Sequence, residues 1–144
     1  MKTRAGILCT GTATVLLVGL SATPAEAAPT LAQRAVKVAA AQKGDRYQYG
    51  ATGPHRFDCS GLTLYSFKKA GKTLPRTAQQ QYNKTKRVGA SKRKVGDLVF
   101  FGGTRSIYHV GIYAGNNKIW HAPKPGTRVR LEKLWTKNVR YGRV

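Results

Sequence analysis

From Leu31 to Gln42 the apolar positions Leu31, Ala35, Val38 and Ala39 recur at three- and four-residue intervals. That spacing predicts one buried face of an α-helix, and Thr30 stands where its hydroxyl can cap the first turn. The rhythm then breaks: Lys43 to Asp58 carries Gly44, Gly50, Gly53 and Pro54 with Tyr47, Tyr49 and Phe57 between them, which predicts an ordered loop able to line a pocket. A second helix is expected from Cys59 to Ala70, with Asp58 as its cap, Lys68 and Lys69 in its last turn and Gly71 beyond it. A third, short helix follows Leu74-Pro75-Arg76, opened by Thr77 and Gln80 as a capping box. After a basic stretch from Lys84 to Lys94 the pattern changes to strands. Leu98 to Phe101, Tyr108 to Ala114, Lys118 to His121 and Thr127 to Leu131 are short, β-rich and separated by Gly, Asn or Pro. Helices first and an antiparallel meander second predict a single α+β domain with N-terminal helices packed on a C-terminal sheet.

Composition fits one packed unit with a strongly basic surface. The 144 residues are 41% hydrophobic and 9% aromatic, and 26 Lys and Arg against 5 Asp and Glu give a formal charge of +21. Such a chain is too short for several domains and too apolar for wholesale disorder, and its charge favours polyanionic partners. The N-terminus has the make-up of a secretory leader: Lys2 and Arg4, an uncharged stretch from Ala5 to Ala25 containing Val15 to Leu20, and the small-residue site Ala25-Glu26-Ala27. A membrane anchor is the rival reading, but Thr10, Gly11, Thr12, Thr14, Gly19, Ser21 and Pro24 dilute the run below a span of roughly 20 apolar residues. Residues 1–27 are therefore expected to be a signal peptide and residues 28–144 the working domain. Cleavage would leave 24 basic and 4 acidic side chains in that domain.

Cys9 would leave with the leader, so Cys59 would be the one remaining thiol. A lone cysteine in an exported domain cannot staple its own fold. It serves as an intermolecular disulfide partner, an inert buried residue or a nucleophile. At the first turn of its helix, Cys59 meets unpaired backbone amides and the positive end of the helix dipole, which favour a thiolate and can also hold an oxyanion. Gly61, two residues on, weakens a helix and so requires a reason, either close approach of a substrate or strand or a tight helix packing contact.

The three histidines are His55, His109 and His121. His55, between Pro54 and Arg56, reads as a surface residue. His109 opens Val110-Gly111-Ile112-Tyr113 and His121 ends Lys118-Ile119-Trp120, each six residues from Gly115. A three-residue hairpin centred on Gly115 would set the two histidines directly opposite on one face, Cβ atoms roughly 4.5–5.5 Å apart. A turn at Asn116-Asn117 would put them on opposite faces. A thiol and two imidazoles are the parts of a nucleophilic hydrolase, in which one ring takes the thiol proton and the other fixes its tautomer. Zinc binding is the rival use of Cys59, His109 and His121, but no paired-ligand spacing such as C-x-x-C or H-E-x-x-H occurs, and neither a metal nor another cofactor is expected.

Taken in order, Tyr47-Gln48-Tyr49-Gly50, Asp58-Cys59-Ser60-Gly61-Leu62, Leu74-Pro75-Arg76-Thr77, Gly96-Asp97-Leu98-Val99-Phe100-Phe101, His109-Val110-Gly111-Ile112-Tyr113 and Ile119-Trp120-His121-Ala122 resemble the NlpC/P60 cysteine peptidases from about Leu31 to Arg143. The resemblance implies a papain-like α+β fold with Cys59 as nucleophile, His109 as base and His121 as the orienting third residue. It further implies that Tyr47 borders the oxyanion site and that Asp58 and Ser60 help hold the substrate. The reaction implied is hydrolysis of bacterial cell-wall stem peptides, usually between the γ-carboxyl of D-glutamate and a diamino acid. Ala51 stands where the family often has a second glycine, and the domain is unusually basic for a member.

The charge speaks to location. It would hold a small secreted enzyme on anionic wall polymers without a dedicated binding module. The competing class is a secreted basic protein that binds polyanions or cell wall and whose peptidase machinery is vestigial. No nucleic-acid recognition motif is present, and specific nucleic-acid binding is not expected. After processing no transmembrane anchor would remain, and the domain is expected to act as a monomer.

Overall fold

In the computed structural model, residue 11, residues 13–25 and residues 27–144 are described. Lys2, Arg4, Cys9 and Glu26, on which the leader reading leans, lie outside them. Residues 13–25 carry no helix or strand, and Val15 to Leu20 stand exposed apart from the domain core. Among the described residues no helix is long and apolar enough to cross a membrane.

Three helices precede most of the sheet. Helix α1 (Leu31–Ala41) is opened by the Thr30 and Gln33 capping box and buries Ala35 and Ala39. Helix α2 (Cys59–Ala70) is capped by Asp58, whose side chain accepts from the Gly61 amide, and it ends at Gly71 in the left-handed conformation. Helix α3 (Ala78–Lys84) starts from the capping box of Thr77 and Gln80. All three starts fall where the sequence places them, because a cap is a local contact between residues three apart.

Strands β1 (Arg46–Tyr47) and β2 (Arg56–Phe57) form a small parallel pair inside the predicted loop. The main sheet comprises β3 (Lys86–Val88), β4 (Leu98–Gly103), β5 (Ser106–Gly115), β6 (Lys118–His121), β7 (Arg130–Lys133) and β8 (Val139–Arg143). Its spatial order is β3-β8-β4-β5-β6-β7, antiparallel throughout. The expected meander is thus β4 to β7, and two strands that the pattern does not announce extend it. Strand β8 returns to lie between β3 and β4. Both are short and rich in basic residues, so hydrophobic alternation says little about them. The predicted strand Thr127 to Leu131 divides: Thr127 and Val129 bond to the loop at Tyr47, Gly44 and Asp45, and only the later residues enter the sheet.

Alternation along β4 sorts the core. Leu98 and Phe100 join Val110, Ile112, Phe67, Leu74, Ala35 and Ala39 in the layer beneath the helices. Val99 and Phe101 join Tyr113, Ile119, Leu134 and Tyr141 on the opposite face. Because both faces are covered, β4 reads as a continuous apolar run instead of an alternating one.

Candidate active site

Two local devices set Cys59. Its position at the first residue of α2 follows from the Asp58 cap, and the depth of the helix start follows from Gly61, where a Cβ would lie 2.0 Å from the Ala51 carbonyl oxygen. The close approach inferred for Gly61 is therefore made by loop backbone. The amides of Val110, Ser60 and Cys59 itself are directed at the sulfur and favour thiolate, yet burial outweighs them and pushes the Cys59 thiol above its ordinary value. Burial thus opposes the pull of the helix start toward thiolate.

The histidines are brought together by a route that neither expected hairpin describes. The turn is the two-residue one, Asn116 and Asn117 both adopting positive φ, and Gly115 pairs with Lys118. A bulge between Tyr113 and Gly115 then shifts the register by one, so that Tyr113 faces Ile119 and Ile112 faces Trp120. An extra residue in one strand exchanges the faces beyond it. His109 and His121 consequently share a face as diagonal neighbours, with His121 beside Gly111. A Cβ on Gly111 would sit 3.3 Å from that of His121, so the glycine leaves room for the ring.

His109 Nε2 and His121 Nδ1 are 2.9 Å apart, and His121 Nε2 lies 2.6 Å from Glu132 Oε2. Both rings are buried, His109 against Phe101 and His121 against Trp135. Trp135, despite 57% exposure, stacks on Phe101 with centroids 4.9 Å apart and so roofs this end of the site. Burial, then the neighbouring His121, lowers the His109 pKa to about 3. His121 is also lowered by burial, against an opposing pull from Glu132. The contacts His121 and Arg130 make to Glu132 hold its carboxyl below the usual range, so it is ionised and can only accept.

Cys59, His109 and His121 line one cleft of about 310 Å³ with Tyr47, Tyr108, Lys124, Arg130, Glu132 and Trp135. A second cleft of about 390 Å³, sharing Tyr47, Cys59 and Tyr108, continues past the thiol to Tyr49, Asp58, Ser60 and Arg76. All six residues singled out from the sequence border this double cleft. His55 is exposed and absent from both linings.

Asp58 is nearly saturated. Its oxygens accept from the amides of Gly61 (2.7 Å) and Gly50 (2.9 Å) and from both terminal nitrogens of Arg76 (3.1 and 2.6 Å). These donors keep its pKa low although burial pulls the other way. Ser60 Oγ also accepts from Arg76, at 2.9 Å. Gln81, fully buried, fastens this corner: its amide donates to the carbonyls of Ser60 and Pro75, and its Oε1 lies 2.6 Å from Thr63 Oγ1. Arg76, its side chain 37% exposed, keeps donors for a ligand on this side.

Sequence reasoning passes over Arg76 and Glu132 as site residues. Arg76 was visible within Leu74-Pro75-Arg76-Thr77. Glu132 was visible as one of only four acidic residues in 28–144, standing among basic neighbours.

The NlpC/P60 family model matches residues 44–142. The bifunctional muramidase/DL-endopeptidase CwlT of Bacillus subtilis (strain 168) is 47% identical over 95 residues, covering 63% of this chain and 29% of that protein. A probable endopeptidase of Corynebacterium glutamicum (strain R) is 40% identical over 126 residues, covering 85% of this chain and 58% of its own length. This chain thus spans less than two thirds of either relative's length. Among solved structures, the NlpC/p60 domain of the peptidoglycan hydrolase SagA superposes with a TM-score of 0.73 at 29% identity, over 78% of this chain and 98% of that one. By the extent of the matched region and by its fold, the chain belongs to the NlpC/P60 family.

Proposed function

We propose that residues 28–144 form a secreted cysteine endopeptidase that hydrolyses peptidoglycan stem peptides between the γ-carboxyl of D-glutamate and a diamino acid, with residues 1–27 removed on export. The observation that carries this reading is the run of contacts from His109 through His121 to Glu132 in the cleft that also holds Cys59. The names of CwlT, a DL-endopeptidase, and SagA, a peptidoglycan hydrolase, support the substrate class.

The chemistry follows from hydrogen-bond direction. His109 Nε2 is engaged by His121, which leaves Nδ1 as the nitrogen for the thiol proton. With the thiol pKa raised and the imidazole pKa lowered, the pair rests neutral, and the proton moves to His109 as sulfur attacks the scissile carbonyl. The backbone amide at the start of α2, bordered by Tyr47, is suited to the developing oxyanion. Collapse of the tetrahedral adduct breaks the C–N bond. His109 returns its proton to the leaving amine, and water, deprotonated by the same ring, then cleaves the thioester to release the acid and the free thiol.

Since His109 must reach the leaving amine, the diamino-acid portion belongs in the cleft with His109, Lys124 and Arg130. The acyl portion belongs beside Arg76. A γ-linked glutamate keeps its α-carboxylate free, and Arg76, fixed by Asp58 and Ser60 with its side chain 37% exposed, suits that anion.

Wall attachment is electrostatic in this reading. Three of the four acidic residues in 28–144 are already paired, Asp58 with Arg76, Asp97 with Arg143 and Glu132 with Arg130, which leaves most of the positive charge unmatched. Within the basic stretch, Arg87 lies over the Tyr82 ring and Arg93 near Tyr113 and Tyr141, while Lys84, Lys86, Lys92 and Lys94 are exposed.

The test is incubation with purified muropeptides followed by mass analysis. New products ending in γ-D-glutamate, abolished by alkylating Cys59, are expected. Retention on walls with no hydrolysis before or after alkylation would favour the basic wall-binding alternative. Intact mass of the exported protein, expected to start at Ala28 with one thiol, checks the leader.

A further inference from the structure

Glu132 occupies a place that the register makes specific. On β7 it pairs with Ile119, and Arg130 pairs with His121, so Glu132 is the diagonal neighbour of His121 on the same face. His109 is the diagonal neighbour of His121 from the other side. The three side chains thus step across β5, β6 and β7, each offset by two residues from the pair directly opposite. The Glu132 oxygen that meets His121 Nε2 at 2.6 Å also accepts from Arg130 Nε at 3.0 Å, which restrains a side chain that would otherwise have free rotamers.

We propose that Glu132 is a positioning residue that sets the direction of both imidazoles, a role that rests on the thiol-hydrolase reading above. An ionised carboxylate only accepts, so the proton on His121 must sit on Nε2. His121 Nδ1 is then a lone pair and accepts from His109 Nε2. His109 Nδ1 is left unprotonated, ready for the thiol. Without Glu132 the opposite chain is equally well bonded: His121 donates from Nδ1, His109 accepts at Nε2, and His109 presents N–H to the sulfur, where it cannot act as a base. Neutral imidazoles in a buried pair cannot correct this by protonation. The charged groups around this carboxylate are His121 from β6, with His109 behind it, and Arg130 from β7, with Lys124 lining the same cleft. Of these, His121 alone carries the effect to the thiol.

The experiment compares Glu132→Ala and Glu132→Gln with the parent, alone and in a His121→Gln background, using two readouts. One is steady-state hydrolysis of an L-Ala-γ-D-Glu-diamino-acid tripeptide. The other is the rate of Cys59 alkylation by iodoacetamide at pH 7.5, which needs no substrate. E132A should lower kcat about tenfold with KM within about twofold, and should slow alkylation comparably. That is well short of the ~10⁴ lost when a fully buried triad carboxylate becomes an amide, because Glu132 is 36% exposed and water can partly replace it. E132Q, which keeps an accepting oxygen and the shape, should fall between E132A and the parent. In the His121→Gln background neither substitution should matter further, since the ring whose tautomer is set has gone. Parental kcat and alkylation in E132A, or the same loss in both backgrounds, would overturn the role. If the parent fails to cleave the tripeptide while alkylation still shows the coupling, the substrate reading fails and the role of Glu132 stands.

Discussion

The two halves of the cleft solve opposite problems with similar side chains. On the Asp58 side a carboxylate and a guanidinium are locked together, capped by two backbone amides and pinned by the buried amide of Gln81. On the Glu132 side a carboxylate holds an imidazole, which holds a second imidazole, and the contact between the two rings can run in either direction. The first arrangement is rigid because its donors and acceptors are fixed: guanidinium and amide nitrogens only donate. The second is adjustable because a neutral imidazole does both. A recognition surface benefits from the first property and proton transfer requires the second.

Breaking each half should therefore fail in a different way. The largest effect is expected at the chemistry: Cys59→Ala and His109→Ala should each reduce hydrolysis by about 10⁴-fold or more, while circular dichroism and wall retention stay as in the parent. His121 should grade the effect, with activity falling in the order His, Asn or Gln, then Ala, since an amide oxygen can still accept from His109. Full activity in His121→Ala would remove that residue from the site.

On the rigid side the loss should appear in stability as well as in activity. Arg76→Met leaves the Asp58 charge buried with two backbone amides and the Ser60 hydroxyl as its partners, and the urea midpoint should drop by about 2 kcal/mol of stability. This lies below the roughly 3–5 kcal/mol of a fully buried broken pair because the Arg76 side chain is 37% exposed. A midpoint equal to that of the parent would show that Asp58 does not depend on its partner.

Acid should strike the adjustable side at a pH where the rigid side is still intact. Unfolded, His109 titrates near its ordinary value of 6.5; folded, it titrates near 3, so between these values the unfolded chain binds a proton that the folded chain refuses. Stability is therefore complete above about pH 7 and lost as pH falls, by about 2 kcal/mol between pH 7 and 5 from this ring alone. Asp58, also lowered, contributes stability that is lost only in the more acidic range below its unfolded value. Urea titrations at pH 7 and 5 check this, and His109→Gln should flatten the difference. Equal sensitivity in that variant would place the acid effect elsewhere.

The smallest effects belong to exposed charge. Among the described residues no carboxylate pairs with Lys124, so Lys124→Ala should leave the urea midpoint unchanged and raise KM only a few-fold, for leaving amines that bear a free carboxylate. Wall retention should weaken with salt as the Debye length shrinks from about 10 Å at 0.1 M to about 3 Å at 1 M. Retention indifferent to salt would argue for a shaped site.

What could be read from the sequence was what local interactions determine. The helix starts at Leu31, Cys59 and Ala78 follow from caps in the residue just before, each bonding the amide three residues on, and the β4 to β7 order follows from apolar runs punctuated by turn residues. Cys59 and the two histidines were legible because so few residues of their kind exist in 28–144. Strands β3 and β8 were not, since their basic sequences fold as strands only when sheet neighbours supply the hydrogen bonds, β8 from between β3 and β4 and β3 from the edge against β8.

The hairpin marks the boundary most clearly. Asn116-Asn117 is a turn that sequence alone supports, and by itself it would have set His109 and His121 on opposite faces. The bulge before Gly115 puts them on one face, and nothing in the residues from Tyr113 to Gly115 announces it. A register shift of one residue is decided by which side chains the sheet can bury on both faces at once, and that sum is taken over the whole core. The state of the thiol was likewise beyond sequence: the helix start pulls Cys59 toward thiolate, but burial made by β5 and the loop pushes harder. Residue types and local spacing thus determined which groups are available for chemistry. The tertiary structure decided their faces, partners and protons, because those depend on burial and register, which belong to the assembled core.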